Sequence, residues 1–169
     1  MVAFRMVLTK SELVTMLQQD VRIYLHLAGK IEPSMFDYRP TPGQRSMLDL
    51  VKYHSMMGPA LVEAVVAGTF DEASWTAAEQ AAAGRTFEQA VAAIGGHADY
   101  YAAAIGRISD DDLRAEIDMF GKASRGVQLV TWVLNGCMAY RMQLFLYLKA
   151  SGRAELNTMN LWSGVDAAP

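Results

Sequence analysis

The chain has 169 residues, of which 52% are apolar and 20% charged, enough to bury one sizeable core and far from the composition of a disordered polymer. Its formal net charge of −3 at pH 7, with Lys and Arg scattered along the chain, gives no electrostatic attraction toward nucleic acid. The single cysteine, Cys137, cannot form an internal disulfide, and no charged start with an apolar run and a cleavage site opens the chain. One cytoplasmic domain over residues 1–169 is the expectation.

In "TKSELVTML", Thr9 and Glu12 have capping-box spacing, which predicts a first long helix from there to about Lys30. Leu13, Leu17, Val21, Tyr24 and Ala28 form its apolar stripe, and Thr15, Gln19, Arg22, His26 and Lys30 its polar face, so His26 is expected in solvent. "EPSMFDYRPTPGQRS" is too rich in Pro and Gly to continue a helix and reads as an ordered crossover loop.

Ser46 predicts the N-cap of a second long helix that Gly68 stops. Pro59 lies in its interior, where it removes the donor for the Ser55 carbonyl, at about 3 kcal/mol if nothing compensates. A kink near Ser55 is expected. "DEASWTAAEQAAA" predicts a short helix.

Thr86 and Gln89 cap a third long helix with a seam of Phe87, Val91, Ile94, Ala98, Tyr101, Ile105 and Ile108. Its Gly95-Gly96 pair suggests a bend or a close helix contact, and His97 beside the seam receives no role. "SDDDLRAEIDMFGKAS" reads as a crossover. Ser124 then caps a fourth long helix ending near Gly152, and the tail, with Leu156, Met159, Leu161 and Trp162, is expected to pack back on the bundle.

The fourth helix is apolar nearly all round. Leu129, Val133, Gly136, Tyr140 and Tyr147 mark one stripe, and Trp132, Ala139, Met142 and Leu146 another. Polar Gln128, Thr131, Asn135, Arg141 and Gln143 lie within residues 127–148, which argues for a buried helix and against a membrane span. Three partner helices leave one stripe uncovered, and a homodimer through helical surface is the expected cover. Together these elements predict an all-α four-helix bundle with crossover connections, a short extra helix and a packed C-terminal tail.

"RPTPGQRSMLDLVKYHS" and "VLNGCMAYRMQLFLYLKASG" resemble segments of the DinB/YfiT-like superfamily of bacterial four-helix-bundle proteins. Many of its members bind zinc, nickel or another divalent metal through one His on the second helix and an H-x-x-x-H pair on the fourth, and some are thiol-dependent transferases or isomerases. Carried onto this sequence, the resemblance places the ligand positions at Tyr53, Gly136 and Tyr140, while Asn135, Arg141, Gln143 and Leu144 match the surrounding pattern. Glycine offers no side-chain donor and tyrosine is a poor ligand near neutral pH. A degenerate metal site without cofactor is therefore expected, with Tyr53 and Tyr140 filling or lining the vacated space and His54, Asp49 and Asn135 as polar groups near it. His54, one residue from the ligand place, is expected to be a hydrogen-bonded, partly buried histidine. Cys137 is expected to be an inert buried thiol. These features imply a non-catalytic dimer that binds a small molecule or partner protein at the vestigial metal-site cavity. The alternative is a metal-dependent thiol S-transferase or isomerase-like enzyme.

Overall fold

A computed structural model describes residues 8–166. Helix α1 (Lys10–Ala28) opens on the expected capping box: Thr9 accepts from the Glu12 amide while the Glu12 carboxylate accepts from the Thr9 amide. A 3-10 turn (Pro33–Met35) lies within the crossover, which is tied to the start of α2 (Met47–Ala67) by backbone bonds from Met47 to Tyr38 and from Leu48 to Phe36. Ser46 caps α2, and Gly68 ends it in the left-handed conformation at φ 81°, where glycine carries no Cβ penalty. Helices α3 (Glu72–Ala83) and α4 (Phe87–Gly106) follow, α4 on its own capping box of Thr86 and Gln89.

The crossover after α4 holds more structure than its charge suggested. Asp110–Arg114 forms a short helix α5, and strands β1 (Glu116–Asp118) and β2 (Lys122–Ser124) pair antiparallel with Ile117 opposite Ala123. Three-residue strands carry too few alternating positions to announce themselves. The fourth long helix is continuous but of three kinds: α6 (Arg125–Gln128), a π-helical segment (Leu129–Leu134) and α7 (Asn135–Ala150). Helix α8 (Thr158–Ser163) closes the chain. None of the described helices is long and apolar enough to cross a membrane.

Helix α1 packs against α4, α7 and α8, and α2 packs against α3, α4 and α7. The core is one apolar cluster that includes Leu17, Tyr24, Leu27, Leu50, Met57, Ile94, Tyr101, Leu129, Leu144 and Leu148. The tail packs back as expected: Leu156 and Leu161 are buried, though Met159 and Trp162 are exposed. His26 departs from its expected solvated role. It is half-buried, and its Nε2 lies 3.1 Å from the Asn160 side-chain amide, which ties the tail to α1. The Gly95-Gly96 pair makes no close helix contact, since a Cβ at either position would meet no described atom within 4 Å.

The Pro59 defect is repaired from outside the helix. The Ser55 carbonyl accepts from Arg85 Nη1 at 3.0 Å and lies 3.2 Å from His97 Nε2. A carbonyl can only accept, so His97 carries its proton on Nε2.

Candidate functional site: a tyrosine pair over a buried polar cluster

Helix α2 presents Tyr53 on its flank and His54, one residue or about 100° further round, to the interior. Helix α7 makes the same offset. Counting at 3.6 residues per turn from Leu129 and Val133 leads to Gly136 and Tyr140. The buried stripe instead runs through Leu129, Val133, Cys137, Arg141, Leu144 and Leu148. The cause is the π-helical turn at Leu129–Leu134: its wider turn takes an extra residue, so the face that follows is shifted by one. Gly136 and Tyr140 are half-buried on the flank, and Asn135 is exposed.

The flank positions meet one another. The Tyr53 and Tyr140 rings stand edge to face with centroids 5.1 Å apart, and the Arg45 guanidinium lies 3.7 Å above the Tyr53 ring. A Cβ on Gly136 would lie 3.4 Å from the Met57 sulfur, and neither tyrosine ring comes within 4 Å of that position, so Met57 and not the ring pair lies against this glycine. Neither Gly136 nor the two phenols provide an imidazole. The Tyr53 hydroxyl is pushed well above the usual phenol range by burial first and by the neighbouring Tyr140 second, and a neutral phenol is a weak metal donor. These three residues do not fit the metal of the resemblance.

The other expected polar groups disperse. Asp49 is exposed, accepts from the Ser46 hydroxyl at 2.8 Å and lines a small charged groove with Arg45, Lys52, Tyr53 and Glu79. Asn135 faces solvent, so it is not beside the tyrosine pair as a buried partner. His54 is 2% exposed and stacks on the Tyr24 ring at 3.7 Å with 7° between planes. Its Nδ1 has no hydrogen-bond partner among the described residues, and it is more deeply buried than expected.

Beneath the tyrosine pair lies a polar cluster that helix periodicity did not reveal. Asp20 Oδ1 accepts from Arg141 Nη1 at 2.6 Å, both residues buried. Asp20, His54 and Cys137 bring ligand atoms within 4.8 Å of one another, and the Tyr101 hydroxyl stands 3.9 Å from the Cys137 sulfur. Gly58 permits this approach, since a Cβ there would overlap the Tyr101 hydroxyl. Burial governs the protonation states. It pushes the Asp20 carboxyl up to about 6 despite Arg141 and the Cys137 thiol up to about 12, with Asp20 adding to the effect. It holds His54 down to about 3, with His97 contributing. One signal was legible: in the spacing Leu13, Leu17, Asp20, Tyr24, Leu27, alternating four and three, an acid stands at a seam position.

Comparison with protein-family models finds no match, and neither does comparison with curated proteins. Among solved structures, a DinB-like protein of Bacillus subtilis, YjoA, superposes with a TM-score of 0.67 over 86% of this chain and 96% of its own, at 18% identity. The chain has the DinB-like all-α fold.

Proposed function

We propose that the chain is a non-catalytic, dimeric binding protein on a DinB-like bundle, in which the tyrosine pair stands where relatives hold a metal. The observation that carries the reading is the contact of Tyr53 and Tyr140 at 5.1 Å, which fills two of the three ligand positions of the resemblance with packed rings, while Met57 lies against the third, Gly136. The rival, a metal-dependent thiol transferase or isomerase, needs a position that a thiol co-substrate can reach, and these residues offer none.

Packed rings leave little volume between them, so the small-molecule site lies next door. Tyr53 touches Trp75 at 6.1 Å between centroids, and Trp75 touches Phe70 at 5.4 Å. Phe70 and Trp75, with Ala60, Ala64, Ala67 and Ala78, line a groove of about 410 Å³ between α2 and α3. That size and apolar lining suit a small apolar molecule, with Glu63 and Asp71 as polar groups at its edge.

Titration with the apolar fluorophore anilinonaphthalene sulfonate tests this reading. Trp75→Ala is expected to weaken binding by about tenfold, the effect of losing roughly 1.4 kcal/mol, and Tyr53→Phe with Tyr140→Phe should leave any protein-bound zinc unchanged. Undiminished binding by Trp75→Ala, or metal lost with the two hydroxyls, overturns it.

A further inference from the structure

The cluster beneath the tyrosines has unmet valences. Asp20, His54 and Cys137 come from three helices, are each 3% exposed or less, and hold their ligand atoms within 4.8 Å of one another. Asp20 Oδ2, His54 Nδ1 and the Tyr24 hydroxyl have no hydrogen-bond partner among the described residues. Leaving such groups unpaired forfeits their hydration without return, and interiors seldom tolerate several together. Core packing alone explains none of the three.

We propose that Asp20, His54 and Cys137 form a buried three-ligand site for one zinc-class divalent cation. This site is separate from the Tyr53, Gly136 and Tyr140 positions, from which it is offset by one residue on α2 and on α7. A carboxylate oxygen, an imidazole nitrogen and a thiolate sulfur are the three donor types zinc accepts, at about 2.0–2.3 Å. Ligands at that radius in a tetrahedron lie about 3–4 Å apart, so the cluster must contract by about an ångström. Calcium and magnesium prefer all-oxygen sets and are disfavoured by the sulfur.

The surroundings are those of a held ligand set. Arg141 fixes the other carboxylate oxygen at 2.6 Å, and the Tyr24 ring stacks flat on His54. Both fix ligand orientation as outer-shell groups do. The Arg141 charge opposes a dication, and the two negative charges of Asp20 and the Cys137 thiolate offset it. His54, kept neutral by burial, needs no deprotonation. Cys137 is protonated without metal, so ligation forms a sulfur–zinc bond and releases that proton to solvent, with no change of oxidation state.

Because the site is enclosed, it is loaded by refolding the protein from urea with zinc or cobalt(II), followed by washing with chelator. The expected result is about one equivalent of metal per chain and, for cobalt, a thiolate-to-metal absorption band in the near ultraviolet. Cys137→Ala and His54→Gln should reduce retained metal at least tenfold, whereas Tyr53→Phe with Tyr140→Phe should keep it, which separates this site from the tyrosine pair. Wild type that refolds, judged by circular dichroism, yet retains no metal overturns the proposal. So does a cobalt form without the thiolate band, or retention unchanged in Cys137→Ala. If the variants do not fold, the wild-type cobalt spectrum decides alone.

Discussion

His97 Nε2 lies 3.2 Å from the carbonyl oxygen of Ser55, the acceptor that Pro59 deprives of its helical donor. A sequence defect in α2 is thus answered by a side chain on α4, with Arg85 as a second donor. His97→Phe should therefore destabilise the fold by about 1–3 kcal/mol, the range for a buried group stripped of a partner. Pro59→Ala restores the helical donor, so His97→Phe should cost less on that background. Urea denaturation of the two single variants and the double variant measures the coupling. Strict additivity would mean that the repair is not shared.

The buried Asp20–Arg141 pair predicts an asymmetry. Arg141→Met leaves Asp20 uncompensated in the core and should cost about 3–5 kcal/mol, whereas Asp20→Leu combined with Arg141→Met should cost much less. Chemical denaturation of both variants checks this. Equal losses would assign the effect to packing.

In the metal-free protein, acid should destabilise the fold below neutrality. His54 and His97 are held by burial to about 3 and about 4, below the ordinary value of about 6.5. Groups with depressed folded values contribute stability that is present above 6.5 and lost as pH falls through that window. Asp20, raised to about 6, acts in the opposite sense: its contribution is present below about 4 and lost as pH rises toward 6. Two histidines against one carboxyl predict a net loss of a few kcal/mol between pH 7 and 4, read as a falling Tm. His54→Gln should flatten that fall.

Met142 and Leu146, about one turn apart on α7 and exposed by 40% and 55%, form an apolar stripe on the fourth helix. If the proposed homodimer forms through that face, light scattering should give twice the chain mass at micromolar concentration. Leu146→Lys should shift the population toward monomer. A wild-type monomer would leave the stripe as ordinary exposed apolar surface.

The helices and most of their ends were legible because caps and stops are local chemistry: Thr9 with Glu12, Thr86 with Gln89, Ser46, Ser124 and Gly68 all act within a few residues. That Pro59 deprives the Ser55 carbonyl of its helical donor was legible for the same reason, but its remedy was not, since Arg85 and His97 are distant in sequence. The interior face of the fourth helix was misjudged by one residue because a π-helical turn leaves no periodic signal of its own. That shift, together with the position of His54 on α2, moved the core chemistry from Gly136 and Tyr140 to Cys137 and Arg141. Asp20 was passed over in favour of Val21, an apolar neighbour that is also buried.

Under the proposed function, the tyrosine pair stands at the ligand positions that the resemblance implies. This placement is tested most directly by zinc content on a Cys137→Ala background, where the core cluster contributes nothing. Combined Tyr53→His, Gly136→His and Tyr140→His, with Met57→Ala to make room beside position 136, should take up about one equivalent of zinc or nickel, and the Cys137→Ala parent none. A folded variant that binds no metal, or a parent that binds it and loses it on Tyr53→Phe, would contradict the account.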